Sequence, residues 1–170
     1  APATAPEFQR RSFASVMAHE LSHHWTGDLV TMPWWDDIWL NGAFATFVGN
    51  RTVAAVHPED ASMLEMLTSV QYVMNGDSRQ SARRIRQPIE STHDIANAFD
   101  GITYQKGAAV IGMFEQWLGP DNFRRGVQSY MKRFAHRTAT SGAFLDELSG
   151  ASKSDVARSF STFLNQAGIP

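Results

Sequence analysis

His19 and His23 stand four residues apart in the run His19-Glu20-Leu21-Ser22-His23. On a helix that spacing projects both imidazoles from one face, where they can share a single tetrahedral ion. Glu20, one residue along, is turned aside from the ion, so it can serve as general base on a metal-bound water without becoming a ligand. The chemistry this pattern allows is hydrolysis by zinc-activated water. A five-residue pattern also arises by chance on unrelated helices, so its flanks carry weight. His24 projects away from the pair and reads as a solvent-facing or packing residue.

The elements that position this motif must come from a chain of 170 residues, one domain's worth, with 43% hydrophobic content to build a single core. A formal charge of −2 gives no electrostatic case for nucleic acid or an anionic membrane as the main partner. The absence of cysteine rules out disulfides and thiolate ligands, so any zinc must use histidine and oxygen, and the compartment is left open. No apolar run approaches a membrane-spanning length. The opening Ala1-Pro2-Ala3-Thr4-Ala5-Pro6 lacks the charged-then-apolar layout of a signal peptide and reads as a cut rather than a natural start.

Helical spacing dominates and no segment alternates with period two, so the expected fold class is mainly α. A first helix is expected from about Phe8 to Trp25, with Phe13, Val16, Met17 and Leu21 on its apolar side and a stop near Gly27. A second runs from about Trp35 to Val48 with Ile38, Trp39, Phe44 and Phe47. A third follows Pro58 with Met63, Met66, Leu67 and Val70, ending at the turn Asn75-Gly76-Asp77. From Ser78 to His93 periodicity is lost, and Arg83, Arg84 and Arg86 read as a solvated loop, with phosphate or carboxylate binding as the lesser reading.

A fourth helix is expected from near Thr103, with Ala109, Val110, Met113, Phe114 and Trp117 in register. Pro120, at a first helical position, opens a fifth running to about Phe134. Ser141 and Ser154 are candidate N-caps for two final helices, the first bearing Phe144, Leu145 and Leu148, the second Val156, Phe160, Phe163 and Leu164, with Gly168 as the closing stop.

The stretch from His19 through Trp25-Thr26-Gly27-Asp28, Pro33-Trp34-Trp35 and Trp39-Leu40-Asn41 resembles the zinc-binding region of the M1 aminopeptidases. A second block, Phe99-Asp100-Gly101-Ile102-Thr103-Tyr104-Gln105-Lys106-Gly107-Ala108, is similar to the family segment that carries its catalytic tyrosine. Metzincin spacing is excluded, because Thr26 and Leu29 stand where that class has its glycine and third histidine. The resemblance implies a gluzincin: the helical part of a thermolysin-like catalytic domain, with His19 and His23 as zinc ligands and Glu20 as base. Tyr104 would donate to the oxyanion of the tetrahedral intermediate. A tyrosine opening an amphipathic helix can also be a half-buried rim residue. Trp25, Trp34, Trp35 and Trp39 read as packing between the two metal-bearing helices, with an aromatic substrate wall as the lesser reading.

In the family a third ligand, Glu, follows the second histidine after eighteen residues, and here that position is Gly42, flanked by Asn41, Ala43, Phe44 and Ala45. Glycine has no side chain to reach a metal, and two histidines fall short of the three protein ligands usual at catalytic zinc. The expectation is Zn²⁺ bound weakly or not at all, and impaired hydrolysis of amino-terminal peptide bonds. A non-catalytic helical interaction or scaffold module is the alternative. Asp36 and Asp37 lie more than a turn before Gly42, too far to substitute unless the helix shifts. The implied domain layout makes residues 1–170 a partial catalytic domain. The amino-terminal β-domain, the strands lining the peptide groove and the Gly-x-Met-Glu-Asn segment that binds the substrate's amino terminus would lie outside it. A peptide is the expected substrate, and self-association is expected through an apolar face left open.

Overall fold

The computed structural model describes residues 4–58 and 62–168. Eight helices carry the described chain: α1 (Glu7–Ser22), α2 (Ile38–Val56), α3 (Ser62–Asp77), α4 (Thr92–Ile95), α5 (Gly107–Leu118), α6 (Pro120–Arg133), α7 (Ser141–Ser152) and α8 (Val156–Asn165). The only sheet among the described residues is a short parallel pair, β1 (Val30–Thr31) with β2 (Arg137–Thr138), in the register Val30 to Arg137 and Thr31 to Thr138. The mainly α class expected from periodicity is the class observed.

α2 is the central element. It carries consecutive buried residues from Trp39 to Ala45, because α1 and α5 pack along it and Phe44 reaches α6 and α7 through Phe123 and Phe144. A helix apolar nearly all round is a buried helix. The core it enters is aromatic: Phe44 meets Phe123 and Phe144, while Trp39 meets Phe160, which stacks on Phe114 at 4.2 Å between centroids. Trp39 therefore packs between α2 and α8. Trp25 and Trp34 are largely exposed, and Trp35 sits edge-on to Phe99, so the tryptophans do not fill a seam between the two site helices.

α1 departs from its expected orientation. It buries Ala18 and Ser22, while Phe13, Val16, Met17 and Leu21 lie exposed on the other side. The small face wins because α1 crosses α2 backbone to backbone at Gly49, where an added Cβ would lie 3.0 Å from the His19 amide nitrogen and 3.1 Å from its Cα. A close crossing selects Ala, Ser and Gly at the contact and leaves no room for Phe or Leu. The helix ends at Ser22, before the expected Trp25. Successive turns then carry the chain to Gly27, whose φ of +134° suits glycine.

Other boundaries differ for local reasons. α2 runs eight residues beyond the expected Val48, and α3 continues through Asn75-Gly76-Asp77. In α5 the buried side is Val110, Ile111, Phe114 and Leu118, while Met113 and Trp117 stay largely exposed. Thr140, not Ser141, caps α7 by accepting from the Ala143 amide, and Asp155, not Ser154, caps α8 by accepting from the Arg158 amide. Ser141 donates instead to the buried Asp37 carboxylate through its hydroxyl at 2.5 Å and its amide at 3.2 Å.

Arg84 is exposed, as the solvated reading expected, but Arg83 and Arg86 anchor the loop. Arg86 pairs with Asp36 and, through Nε at 2.7 Å, with Asp37. Arg83 pairs with Asp100 and donates to Thr103 Oγ1 at 2.7 Å. Ile85 between them and Ile89 three residues beyond Arg86 are buried, which fixes the loop against the helices.

Candidate active site

His19 and His23 project from the α2-facing side of α1, and their Nε2 atoms lie 3.1 Å apart. Each ring is oriented from behind. His23 Nδ1 lies 2.8 Å from the Thr26 carbonyl, which can only accept, so Nδ1 carries the proton. Thr46 Oγ1 donates to the Gly42 carbonyl at 2.8 Å, leaving its lone pairs toward His19 Nδ1 at 3.3 Å, so that nitrogen also donates. Tautomers fixed in this way leave both Nε2 lone pairs aimed into one place. Two facing acceptors at that distance need a proton or a metal ion between them.

Burial, followed by the neighbouring His23, lowers the pKa of His19, with Glu20 opposing. Glu20 is exposed beside the pair. Tyr104 stands across the site, its ring centroid 5.9 Å from that of His19. Burial first and the Glu20 charge second raise its phenol pKa. A cleft of about 370 Å³ lies over these groups, lined in part by His19, Glu20, Thr46, Asn50, Tyr104 and Gln105.

Tyr104 does not open an ordinary α-helix. It sits in a π-helical turn, Ile102–Lys106, that leads into α5. Such turns recur at functional sites because the extra residue re-aims a side chain. The turn is pinned on both flanks. Lys106 Nζ donates to Asp77 at 2.9 Å and to the Gly168 carbonyl at 2.8 Å, and Thr103 Oγ1 donates to the Ala98 carbonyl at 2.6 Å while accepting from Arg83.

The donor set falls short of a three-ligand metal site among the described residues. Two imidazoles converge with their supporting partners, yet among the described residues no three His, Asp or Glu side chains come together. Gly42 is buried on α2 where the family resemblance puts the third ligand. Asp36 and Asp37 are engaged with Arg86 and, for Asp37, with Ser141, so neither turns toward the histidines. A three-ligand catalytic zinc does not fit the residues present. His24 is exposed and lies 3.6 Å from Asp28, away from the site.

The sequence reading missed Thr26, whose carbonyl orients His23, and Thr46, which touches both His19 and Gly42. Thr46 was within reach: it is one helical turn after Gly42 on the same face.

A mainly helical chain with paired histidines and a carboxylate on one helix, faced by a tyrosine on a π turn, has the form of the helical part of a metallopeptidase domain. The family described as the Peptidase family M1 domain matches residues 1–163, and the chain belongs to that family. It is 37% identical over 172 residues to glutamyl aminopeptidase of Rattus norvegicus, covering 99% of this chain and 18% of the relative. It is 36% identical over 163 residues to probable aminopeptidase 2 of Sulfurisphaera tokodaii, covering 95% of this chain and 21% of the relative. To leucyl aminopeptidase of Saccharolobus solfataricus it is 33% identical over 164 residues, covering 96% and 21%. The chain thus spans about a fifth of the length of these curated relatives. No helix among the described residues is long and apolar enough to cross a membrane.

Proposed function

We propose that this chain is the helical, zinc-directed part of a gluzincin aminopeptidase whose own hydrolytic competence is impaired at position 42. The observation that carries the reading is the 3.1 Å convergence of two oriented histidine Nε2 atoms, with glycine at the remaining ligand position. The reaction implied is hydrolysis of the amino-terminal peptide bond of a peptide, in which bound zinc would supply an activated water. Glu20 would act as general base and Tyr104 would donate to the developing oxyanion. Losing a partner that merely orients a ligand costs about 10–100-fold in metal affinity or activity, so losing a ligand itself should cost more. Zn²⁺ is therefore held weakly.

The test measures bound zinc and aminoacyl-anilide hydrolysis for the unchanged chain and for Gly42→Glu, each joined to the remaining portion of a relative. Low zinc and low turnover in the unchanged form, both raised in the variant, are expected. Stoichiometric zinc and full turnover without the substitution would refute impairment.

Gly42 also supports a second reading, a helical interaction or scaffold module that keeps the fold without the reaction. The exposed row Phe8, Phe13, Val16, Met17 and Leu21 on α1 suits it, and self-association through that face is its expected consequence. A monomer at high concentration in light scattering would count against it.

A further inference from the structure

Gly42 lacks a side chain, but the place that side chain would take is filled. A Cβ added to Gly42 would lie 2.7 Å from Tyr104 Cε1, 3.0 Å from Cδ1 and 3.4 Å from Cζ. Carbon atoms in contact rest at about 3.5–4.0 Å, so the ring and any side chain at 42 overlap. Gly112, also inside a helix, shows the ordinary case: its added Cβ would meet Phe47 Cε2 at 3.5 Å.

We infer that the Tyr104 ring is the filler of the third-ligand position, so that the present pose of Tyr104 and a side chain at residue 42 exclude one another. The pinning of the π turn sharpens this. Lys106 is held by Asp77 and Gly168, and Thr103 by Arg83 and Ala98, so the backbone on both sides of Tyr104 is fixed. Relief of the overlap then falls on the side-chain torsions of Tyr104. A carboxylate returned to position 42 therefore reaches the histidines only once the Tyr104 ring has turned from its present pose. Metal binding and Tyr104 placement are thereby coupled in this chain.

The meaning of position 42 as a ligand position rests on the reading proposed above, whereas the overlap is steric and can be tested without metal. Thermal unfolding of the whole chain in chelator is measured for Gly42→Ala, Tyr104→Ala, Tyr104→Phe and the two double variants, with Gly112→Ala as reference. Removing a mid-helix glycine at an unobstructed site should raise Tm by about 1–4 °C in a chain of this size. That rise is expected for Gly112→Ala, and for Gly42→Ala in the Tyr104→Ala background. Gly42→Ala is expected to lower Tm in the otherwise unchanged chain and in the Tyr104→Phe background alike, since the ring and not the hydroxyl obstructs. An equal rise in every background would overturn the inference. The comparison of Gly42→Ala with Gly112→Ala in the otherwise unchanged chain needs no Tyr104 variant, so it decides even if Tyr104→Ala fails to fold.

A zinc competition titration supplies the second reading. Gly42→Glu with Tyr104→Ala should bind zinc roughly tenfold or more tightly than Gly42→Glu alone. Equal, measurable affinities would mean the ring yields freely, against the inference. If neither variant binds zinc while the thermal cycle shows the coupling, the overlap stands and the proposed ligand role of position 42 fails.

Discussion

The two halves of the candidate site differ in kind. On α1 the histidine half is complete: both rings are present, both are oriented through Nδ1, and both Nε2 atoms point at one place. On α2 the position where the proposed reading puts a carboxylate is Gly42, and an aromatic ring from a third element lies against it. The helices around both halves are packed into the core, so under the proposed reading glycine at position 42 leaves the fold in place.

The largest expected effect lies at the foot of α2, the helix that carries Gly42. Asp37 is buried at the start of α2 and binds Arg86, the Ser141 hydroxyl and the Ser141 amide. Asp37→Ala takes the acceptor from the Ser141 hydroxyl and amide and leaves Arg86 with Asp36 alone, and should destabilise the chain by about 3 kcal/mol, read from urea unfolding. Gly49→Ala acts on the histidine half alone, because the new Cβ presses on the α1 backbone at His19. A cost of about 1–3 kcal/mol is expected, together with a change in the His19 and His23 ring resonances by NMR.

Thr46→Val removes the hydroxyl that links the halves while keeping the shape. Its expected effect is about tenfold in zinc affinity, measured by chelator competition, with little change in Tm. The smallest effect lies remote from the site. Burial, and secondarily the Asp37 charge, pushes the Tyr130 phenol up to about 12. A raised pKa means the folded state holds its proton when the unfolded chain has released it. The stability Tyr130 contributes is thus intact below its ordinary pKa near 10 and is lost as pH rises from there through about 12. Alkaline unfolding followed by phenolate absorbance should be less steep in Tyr130→Phe.

The histidine half was legible in the sequence because an i, i+4 pair on a helix is a matter of local geometry. The place of Gly42, buried on α2 one turn before Thr46, follows from a count along the chain from His23, and its role as a ligand position is part of the proposed reading. What periodicity could not show is how α1 sits. Its bulky residues suggested the buried side, yet the close crossing at Gly49 chose Ala18 and Ser22, a decision made by the partner helix. The π turn under Tyr104 was equally hidden, since ties to Asp77, Gly168 and Arg83 hold it and those lie far off in sequence. The caps missed by one residue because Thr140 and Asp155 are as competent as the serines beside them, and the buried carboxylate of Asp37 had already claimed Ser141.

The central claim is that two oriented histidines without a third ligand hold zinc only weakly. Its most direct test is to load the unchanged chain with zinc, dialyse it against metal-free buffer and determine the metal remaining per chain. Loss of most of the zinc is the expected result, with Gly42→Glu combined with Tyr104→Ala retaining more under the same treatment. One zinc retained per unchanged chain would contradict the account.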